Sequence, residues 1–386
     1  MKNSIKSMIF GGAVLFALSM CLTSCEGALD DLFGEWDKPA PEASIAVTSI
    51  SLDPTLEVAA GKTGQLTATV APDNATDKTI TWSSNNTAAA TVDANGLVTA
   101  IAVGTATITA KAGDKSATCE VTVTPGLSTP LTLEILTAGT IVIKRPKVGM
   151  KYKKNDEAPV SIGSTSDVTI SGLNVGDKVE FYGDGTNITA YSSNGDLSQT
   201  TQIKDGTADL KVYGNIMSLV DETGFATATT LANEAFYMFF NGNTQLKDAS
   251  GLIMPATTVG ANCCFEMFRG CTNLSKAPKE LTATTLGAYC YEFMFIDCSS
   301  LTNAPKLPAT TLTTQCYHAM FASCTNLTNA YVKAAYINTD TECEDMFDGC
   351  AATAVIHTTS ANKANWATAI SNEGWATWTA QDDWTD

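Results

Sequence analysis

Apolar positions between residues 229 and 350 recur at a fixed interval. The phrase Met-Phe-x-x-Cys-x-x-Leu begins at Met267, Met294 and Met320, and a shortened copy begins at Met346, each 26 or 27 residues after the last. A second phrase, Thr-Thr followed by Leu or Val, accompanies it, and a further copy of both lies near Thr229, which makes at least five units. A fixed period of about 20 to 50 residues is typical of a solenoid, whose units bury their apolar faces against one another.

Each unit predicts one short helix and one short strand. In the third unit, residues 287–295 are long enough for about two helical turns, with Tyr291, Met294 and Phe295 at i, i+3 and i+4 on one face. The run 301–307 that follows is short and extended. One helix and one strand per unit is the plan of a leucine-rich repeat, so we expect an α/β solenoid over residues 223–356.

The chain before the repeats is rich in strand patterns. Residues 45–124 alternate apolar and polar positions and are broken by turn sequences such as Asn95-Gly96 and Gly113-Asp114. This arrangement predicts an all-β, immunoglobulin-like sandwich. After a linker, residues 131–222 are again strand-like but contain no repeat, and we expect a small β domain that caps the solenoid.

Two parts of the chain resemble known families. The first resembles the group 2 bacterial immunoglobulin-like domain, which implies a stalk or cohesion module, and the residues that carry it are 80–84, 90–100 and 103–110. The Met-Phe-x-x-Cys-x-x-Leu units resemble the leucine-rich repeats of BspA-type bacterial surface proteins, which implies attachment to host or other cells. Two end units depart from that pattern, with Asn243 in place of Cys and Thr353 in place of Leu.

Cysteines occur in pairs within the repeats. In four units a second Cys precedes the repeat Cys by seven or eight residues, whereas the first unit lacks both and has Ala235 and Asn243. Joint presence and joint absence favour a disulfide within each unit, and hence an oxidising compartment. The predicted pairs are Cys264–Cys271, Cys290–Cys298, Cys316–Cys324 and Cys343–Cys350, with Cys263 as the alternative to Cys264. We expect no metal site, because no unit offers four clustered ligands at zinc spacing.

The N-terminus resembles a bacterial lipoprotein leader. Lys2 and Lys6 precede an apolar run, and a Leu-Thr-Ser-Cys box ends at Cys25. The resemblance implies that residues 1–24 are removed and that Cys25 takes a lipid, which anchors the protein to a membrane without crossing it. The alternative is an ordinary cleavable leader in which Cys25 is incidental. Residues 25–44 predict an acidic tether, similar to the stretch that directs lipoproteins to the outer face of the outer membrane, or else a plain spacer.

Charge and the C-terminal residues narrow the function. The formal net charge of −17 argues against nucleic acid or an anionic membrane surface as a partner, because both require clustered Lys and Arg. Only two histidines are present and the acids of the repeats are scattered, so we expect no enzyme and no cofactor. Residues 362–370 predict a helix. Four tryptophans either stack on sugar rings or form a C-terminal cap over residues 357–386: Trp366, Trp375, Trp378 and Trp384.

Together these patterns predict a lipid-anchored surface protein at the outer membrane that faces the cell exterior. Its repeats are expected to act as an adhesin-like module that binds a host protein, another cell or a glycan, without nucleic acid. The alternatives are a non-catalytic structural or antigenic component and a polysaccharide-binding accessory lipoprotein. The exposed repeat positions, such as Ser275-Lys276 and Thr302-Asn303, are bland and identify no ligand.

Overall fold

The computed structural model of the chain describes residues 44–184, 200–337, 341–375 and 377–385. The predicted leader, the lipid-anchor residue Cys25 and the tether up to residue 43 therefore lie outside the described residues. The chain divides into two compact units, of which the first contains the described residues 44–51, 68–81 and 110–117 and the second contains the others. In the part of the chain that the structure describes, no helix is long and apolar enough to cross a bilayer.

Short strands form the N-terminal domain. In the first unit, β1 (Ser49–Ser51) pairs antiparallel with β4 (Thr69–Ala71). The other strands are arranged in a four-stranded sheet of order β2 (Thr55–Ala59), β9 (Lys115–Thr124), β8 (Gly104–Ala112) and β5 (Thr81–Ser84), and a three-stranded sheet of order β3 (Thr63–Gln65), β7 (Leu97–Ala100) and β6 (Ala90–Val92). Side chains of both sheets, including Val98, Ile108 and Val121, form one core, because alternate strand residues point to the same face. Trp82 packs against this core and Cys119 lies within it.

A larger sheet follows the N-terminal domain. Its order is β13 (Val160–Ser161), β12 (Lys151–Lys154), β15 (Lys178–Tyr182), β10 (Leu131–Ile135), β17 (Leu210–Asn215) and β19 (Leu246–Ile253). A three-stranded sheet of order β14 (Val168–Leu173), β11 (Gly139–Lys144) and β16 (Gln202–Ile203) accompanies it. The pairing of β17 with β19 is parallel and extends the sheet into the first repeat. One apolar core runs from Leu131 to Trp378, so the β region expected to cap the solenoid shares its core with the repeats.

The repeats pair through parallel strands. One sheet contains β18 (Thr230–Leu231), β20 (Thr258–Val259) and β21 (Thr285–Leu286), and another contains β22 (Asn303–Leu307), β23 (Asn329–Val332), β24 (Val355–His357) and β25 (Thr379–Gln381). The register places Thr258 opposite Thr285 and Asn329 opposite Val355. Each repeat therefore brings the chain back to the same sheet and adds a parallel strand beside the strand of the previous repeat. The 26- or 27-residue period of the sequence is therefore the length of one such circuit.

The predicted helix of each repeat is wrong. Between the two sheets the chain makes consecutive turns, and residues 287–295 include Tyr289 and Phe293 in the left-handed region, with φ of 60° and 56°. In the described residues of 223–356 there is no α-helix. The left-handed residues recur every fourth position in all five repeats, in three sets: 234, 262, 289, 315 and 341; 238, 266, 293, 319 and 345; 242, 270, 297, 323 and 349.

Hydrogen bonds between repeats explain this backbone. The N–H of Glu266 donates to the carbonyl of Glu292 at 3.0 Å, and that of Ala319 donates to Glu344 at 2.8 Å. In an α-helix the same groups would bond within the segment. A left-handed residue costs about 1–2 kcal/mol for most side chains, and the ladder between repeats offsets that cost.

Aromatic side chains fill the repeat core. Equivalent phenylalanines stack face to face along the repeats at ring-centroid distances of 5.1 to 5.7 Å: Phe240, Phe268, Phe295, Phe321 and Phe347. The chain then forms α1 (Lys363–Asn372), at the predicted helix position. Trp366, Trp375 and Trp378 pack around Phe347 and cover the last ring of this ladder.

Candidate functional site

The outward side chains of the last parallel sheet form the main candidate site. Its register aligns Lys306 with Tyr331, Tyr331 with His357, and His357 with Gln381. Between these positions the strands bury Leu307, Val332 and Ile356, because successive residues of a strand face opposite sides. The apolar core therefore holds this row of polar and aromatic side chains on a rigid sheet.

Tyr331 and His357 form an ordered pair at the centre of the row. Their rings stack with a centroid distance of 4.4 Å and an interplanar angle of 12°. His357 Nδ1 lies 2.9 Å from a carboxylate oxygen of Asp383, and its Nε2 lies 3.1 Å from Asn329 Oδ1. The Asn329 amide donates to Asn303 Oδ1 at 2.9 Å, which fixes the orientation of its oxygen towards His357. These bonds immobilise the pair before any ligand arrives.

Trp384 lies beside the same row. The Nζ atoms of Lys306 and Lys333 lie 5.5 Å and 5.9 Å from its ring centroid, within cation–π range. Lys306 Nζ also donates to the carbonyl of Thr385 at 2.8 Å. Of the four C-terminal tryptophans, Trp384 therefore belongs to the outward face, whereas the other three pack around the last repeat ring.

A groove leads from this row along the strand face. One cavity of about 360 Å³ is lined by residues that include Tyr213, Ser250 and Lys279, and a second of about 360 Å³ is lined by residues that include Ser250, Lys279 and Tyr331. The two cavities share Ser250 and Lys279 and therefore adjoin each other. We call the two adjoining cavities together the strand-face groove, with Tyr213, Ser250, Lys279, Lys306 and Tyr331 as its defining residues.

The groove offers binding groups more than reactive ones. Aromatic rings, hydroxyls, amides and ammonium groups line it, and Glu280 is the one carboxylate among the lining residues of the two cavities. Glycoside hydrolysis needs two carboxylates at a defined separation. Among the described residues, no group of three or more His, Cys, Asp or Glu side chains is arranged to hold a metal ion.

The structure forms none of the predicted disulfides. All ten described cysteines are free thiols, including both members of the predicted pairs Cys264–Cys271, Cys290–Cys298, Cys316–Cys324 and Cys343–Cys350. The second cysteine of each unit instead donates its Sγ–H to a phenylalanine carbonyl of the preceding repeat at 3.0 or 3.1 Å. The neighbouring thiols Cys263 and Cys264 lie 3.6 Å apart. The second cysteines of the units therefore serve as small donors between repeats.

The groove was not predicted from the sequence, although the regular spacing of three lysines agrees with its position. Lys279, Lys306 and Lys333 follow one another at intervals of 27 residues, the period of the repeats. Lysine at a repeat position marks a solvated face in many proteins, so the signal becomes informative only when the aromatic partners from other repeats are known. Lys306 and Tyr331 occupy one row because of a bulge between Asn303 and Lys306, which no periodicity predicts.

Comparison with known proteins identifies the N-terminal domain. Residues 46–138 match the family model of the bacterial Ig-like domain (group 2), which confirms that prediction. The match runs past residue 124 to include β10, a strand that the structure places in the six-stranded sheet. An uncharacterised protein of Clostridium acetobutylicum is 35% identical over 128 residues, 32% of this chain and 12% of that protein. An Ig-like virion protein of Serratia phage KSP90 is 42% identical over 115 residues, 29% of this chain and 43% of that protein.

A third relative is an enzyme by name. The lacto-N-biosidase of Bifidobacterium bifidum is 49% identical over 76 residues, 19% of this chain and 7% of that enzyme. The chain thus spans less than half the length of each of these three relatives.

Proposed function

We propose that this protein is a non-catalytic binding protein of the bacterial surface, whose strand-face groove holds a glycan or a protein of a host or neighbouring cell. The observation that carries the proposal is the immobilised Tyr331–His357 pair at one end of an open groove. A flat aromatic surface with fixed polar neighbours recognises ligands at low entropic cost, because its side chains are ordered before binding.

A glycan is the favoured ligand. The half-buried ring of Tyr331 offers an apolar face for a sugar ring, while Ser250 and Asn303 offer a hydroxyl and an amide for sugar hydroxyls. The sequence similarity to a lacto-N-biosidase supports this choice, since related sequence occurs in a carbohydrate-acting protein. The finer assignment, a BspA-type leucine-rich-repeat adhesin, rests on the Met-Phe-x-x-Cys-x-x-Leu phrase and belongs to the same proposal.

Display at the outer membrane completes the proposal. Lipid on Cys25 would anchor the chain, and the Ig-like domain would separate the groove from the membrane. Metabolic labelling with a fatty-acid analogue tests the anchor: the parent protein is expected to incorporate label and Cys25→Ala to lose it. Protease treatment of intact cells tests exposure, and a protein protected until the outer membrane is permeabilised would contradict surface display.

The binding test compares two exposed tyrosines. The full chain is screened on glycan and matrix-protein arrays, and Tyr331→Ala is compared with Tyr289→Ala, which alters a tyrosine that is 36% exposed on the turn segment outside the groove. We expect Tyr331→Ala to weaken binding at least tenfold and Tyr289→Ala to leave it unchanged. Absence of binding on broad arrays would favour the structural or antigenic alternative, and equal effects of both variants would move the site away from the groove.

A further inference from the structure

The charge of the strand-face groove opposes that of the whole chain. Asp and Glu outnumber Lys and Arg by 40 to 23 in the sequence. Among the side chains that line the two cavities, however, four are lysines and one is a carboxylate: Lys211, Lys276, Lys279, Lys306 and Glu280. The groove is therefore a local basic surface on a strongly acidic protein, a contrast that attracts an anionic ligand to this place and repels it elsewhere.

The partners of these lysines do not prevent ligand binding. Lys279 contacts Glu57 at 2.9 Å with side chains 72% and 58% exposed. Exposed ion pairs of this kind contribute little to stability, because water screens them and holding two long side chains costs entropy. Lys276 contacts the largely buried Asp248 at 3.4 Å, whereas Lys306 donates to a neutral group, the carbonyl of Thr385. An anionic ligand in the groove can therefore recruit the ammonium groups of Lys279 and Lys306 at small cost.

The lysines are also aligned along the groove. The N–H of Lys306 donates to the carbonyl of Lys279 at 3.0 Å, so these two residues lie side by side in adjacent repeats. Lys333 occurs one further 27-residue interval along, where its Nζ approaches Trp384. A row of cations with the Tyr331 and Trp384 rings beside it suits an extended polymer that carries charge at regular intervals.

We propose that the strand-face groove selects an acidic polysaccharide, a chain of sugars that bear carboxylate or sulfate groups. This inference rests on the proposed function and names its ligand class. Lys279 and Lys306 bind the anionic groups, and Tyr331 contacts a sugar ring. An acidic peptide fits less well, because extended peptides gain most of their affinity from backbone bonds at a sheet edge, whereas the groove lies on a sheet face.

The test uses a charged polymer and its uncharged counterpart. Binding of the full chain to polygalacturonate and to fully methyl-esterified polygalacturonate is measured by calorimetry at low and at physiological salt, with polyglutamate as the acidic peptide. We expect binding to polygalacturonate alone, weakened by added salt because screening acts on exposed charges. The double variant Lys279→Ala/Lys306→Ala is expected to bind about tenfold more weakly, and Lys279→Arg/Lys306→Arg to retain binding.

The outcomes separate this inference from the proposed function. Equal binding of the acid and the ester, lost in Tyr331→Ala, would overturn the preference for acidic glycans and leave the glycan-binding groove intact. Polyglutamate binding as tight as that of polygalacturonate would overturn the polysaccharide class. Binding that none of the lysine or tyrosine variants changes would overturn both, and circular dichroism of each variant excludes unfolding as the cause of a loss.

Discussion

The reactivity of the repeat thiols distinguishes free cysteines from the disulfides that the sequence favoured. Cys271 has no exposed surface, and burial raises the pKa of its thiol to about 12. An unperturbed cysteine has a pKa of about 8.5, so at pH 8 the thiolate fraction of Cys271 is roughly two thousandfold smaller. A more basic thiolate is also more nucleophilic, which raises its rate of alkylation about 40-fold and offsets part of this loss. Alkylation of Cys271 is therefore expected to be roughly 50-fold slower than in the unfolded chain, before blocked access slows it further.

The assay follows alkylation of the native protein with iodoacetamide and maps each labelled peptide by mass spectrometry without reductant. We expect Cys350 to react first, because it is the one described cysteine that is not fully buried. Cys298 and Cys324, with no exposed surface, are expected to react only as the protein unfolds. In guanidinium all ten described cysteines are expected to label together. Recovery of a peptide that links Cys290 to Cys298 would refute the reasoning, and so would native-state labelling of Cys298 at the unfolded rate.

Three further variants test the repeat architecture. Phe295→Ala, which removes a ring stacked on both faces, should lower the free energy of unfolding by about 4–5 kcal/mol in urea titration, and a loss below about 2 would contradict the continuous aromatic ladder. Gly349→Ala should lower the free energy of unfolding by about 1–2 kcal/mol, because its φ of 65° is unfavourable for alanine. The added Cβ itself causes no clash, since it meets Ser323 at an ordinary 3.5 Å. The control Gly163→Ala places its Cβ in open space and should leave stability unchanged. Burial disfavours the charged form of Glu292 and is the main reason that its pKa is raised above 4.5. The folded protein therefore holds this proton more tightly than the unfolded chain does, and the free energy of unfolding should fall as the pH rises from about that value. Glu292→Gln should flatten this pH dependence in thermal melts, and an unchanged profile would contradict it.

The repeats and the Ig-like domain could be located from the sequence because residues close together in the chain define both. The repeat period sets the length of chain that places Thr258 opposite Thr285, and the turn sequence Asn95-Gly96 comes directly before the short strand β7. The parallel pairing of β17 with β19 was not predicted. It joins a strand that precedes the repeats to a strand of the first repeat. Residues 131–222 contain no repeat pattern from which this pairing could be predicted.

The helix failed for a different physical reason. Tyr291, Met294 and Phe295 have the spacing of a helical face, but a path that turns left-handed at Tyr289 and again at Phe293 also brings such residues to one side. Periodicity cannot distinguish the two paths, because both bury positions about four residues apart. The choice between them is made by bonds to the next repeat, such as that from Phe293 to His318 at 3.1 Å, which no single unit contains.

The buried positions that stabilise the repeats and the outward positions of the strand face follow different sequence patterns. This difference determines which of the two can be recognised from the sequence. The buried positions keep the same residue from unit to unit, as Phe268, Phe295 and Phe321 do, because each ring must stack on its equivalent. The outward row changes at every step, from Lys306 through Tyr331 to His357. A search for repetition therefore finds the positions that hold the units together and passes over those that differ. On the strand face, Tyr331 and His357 break the repetition and form the aromatic part of the proposed binding site, whereas Lys279 and Lys306 keep the repeat interval.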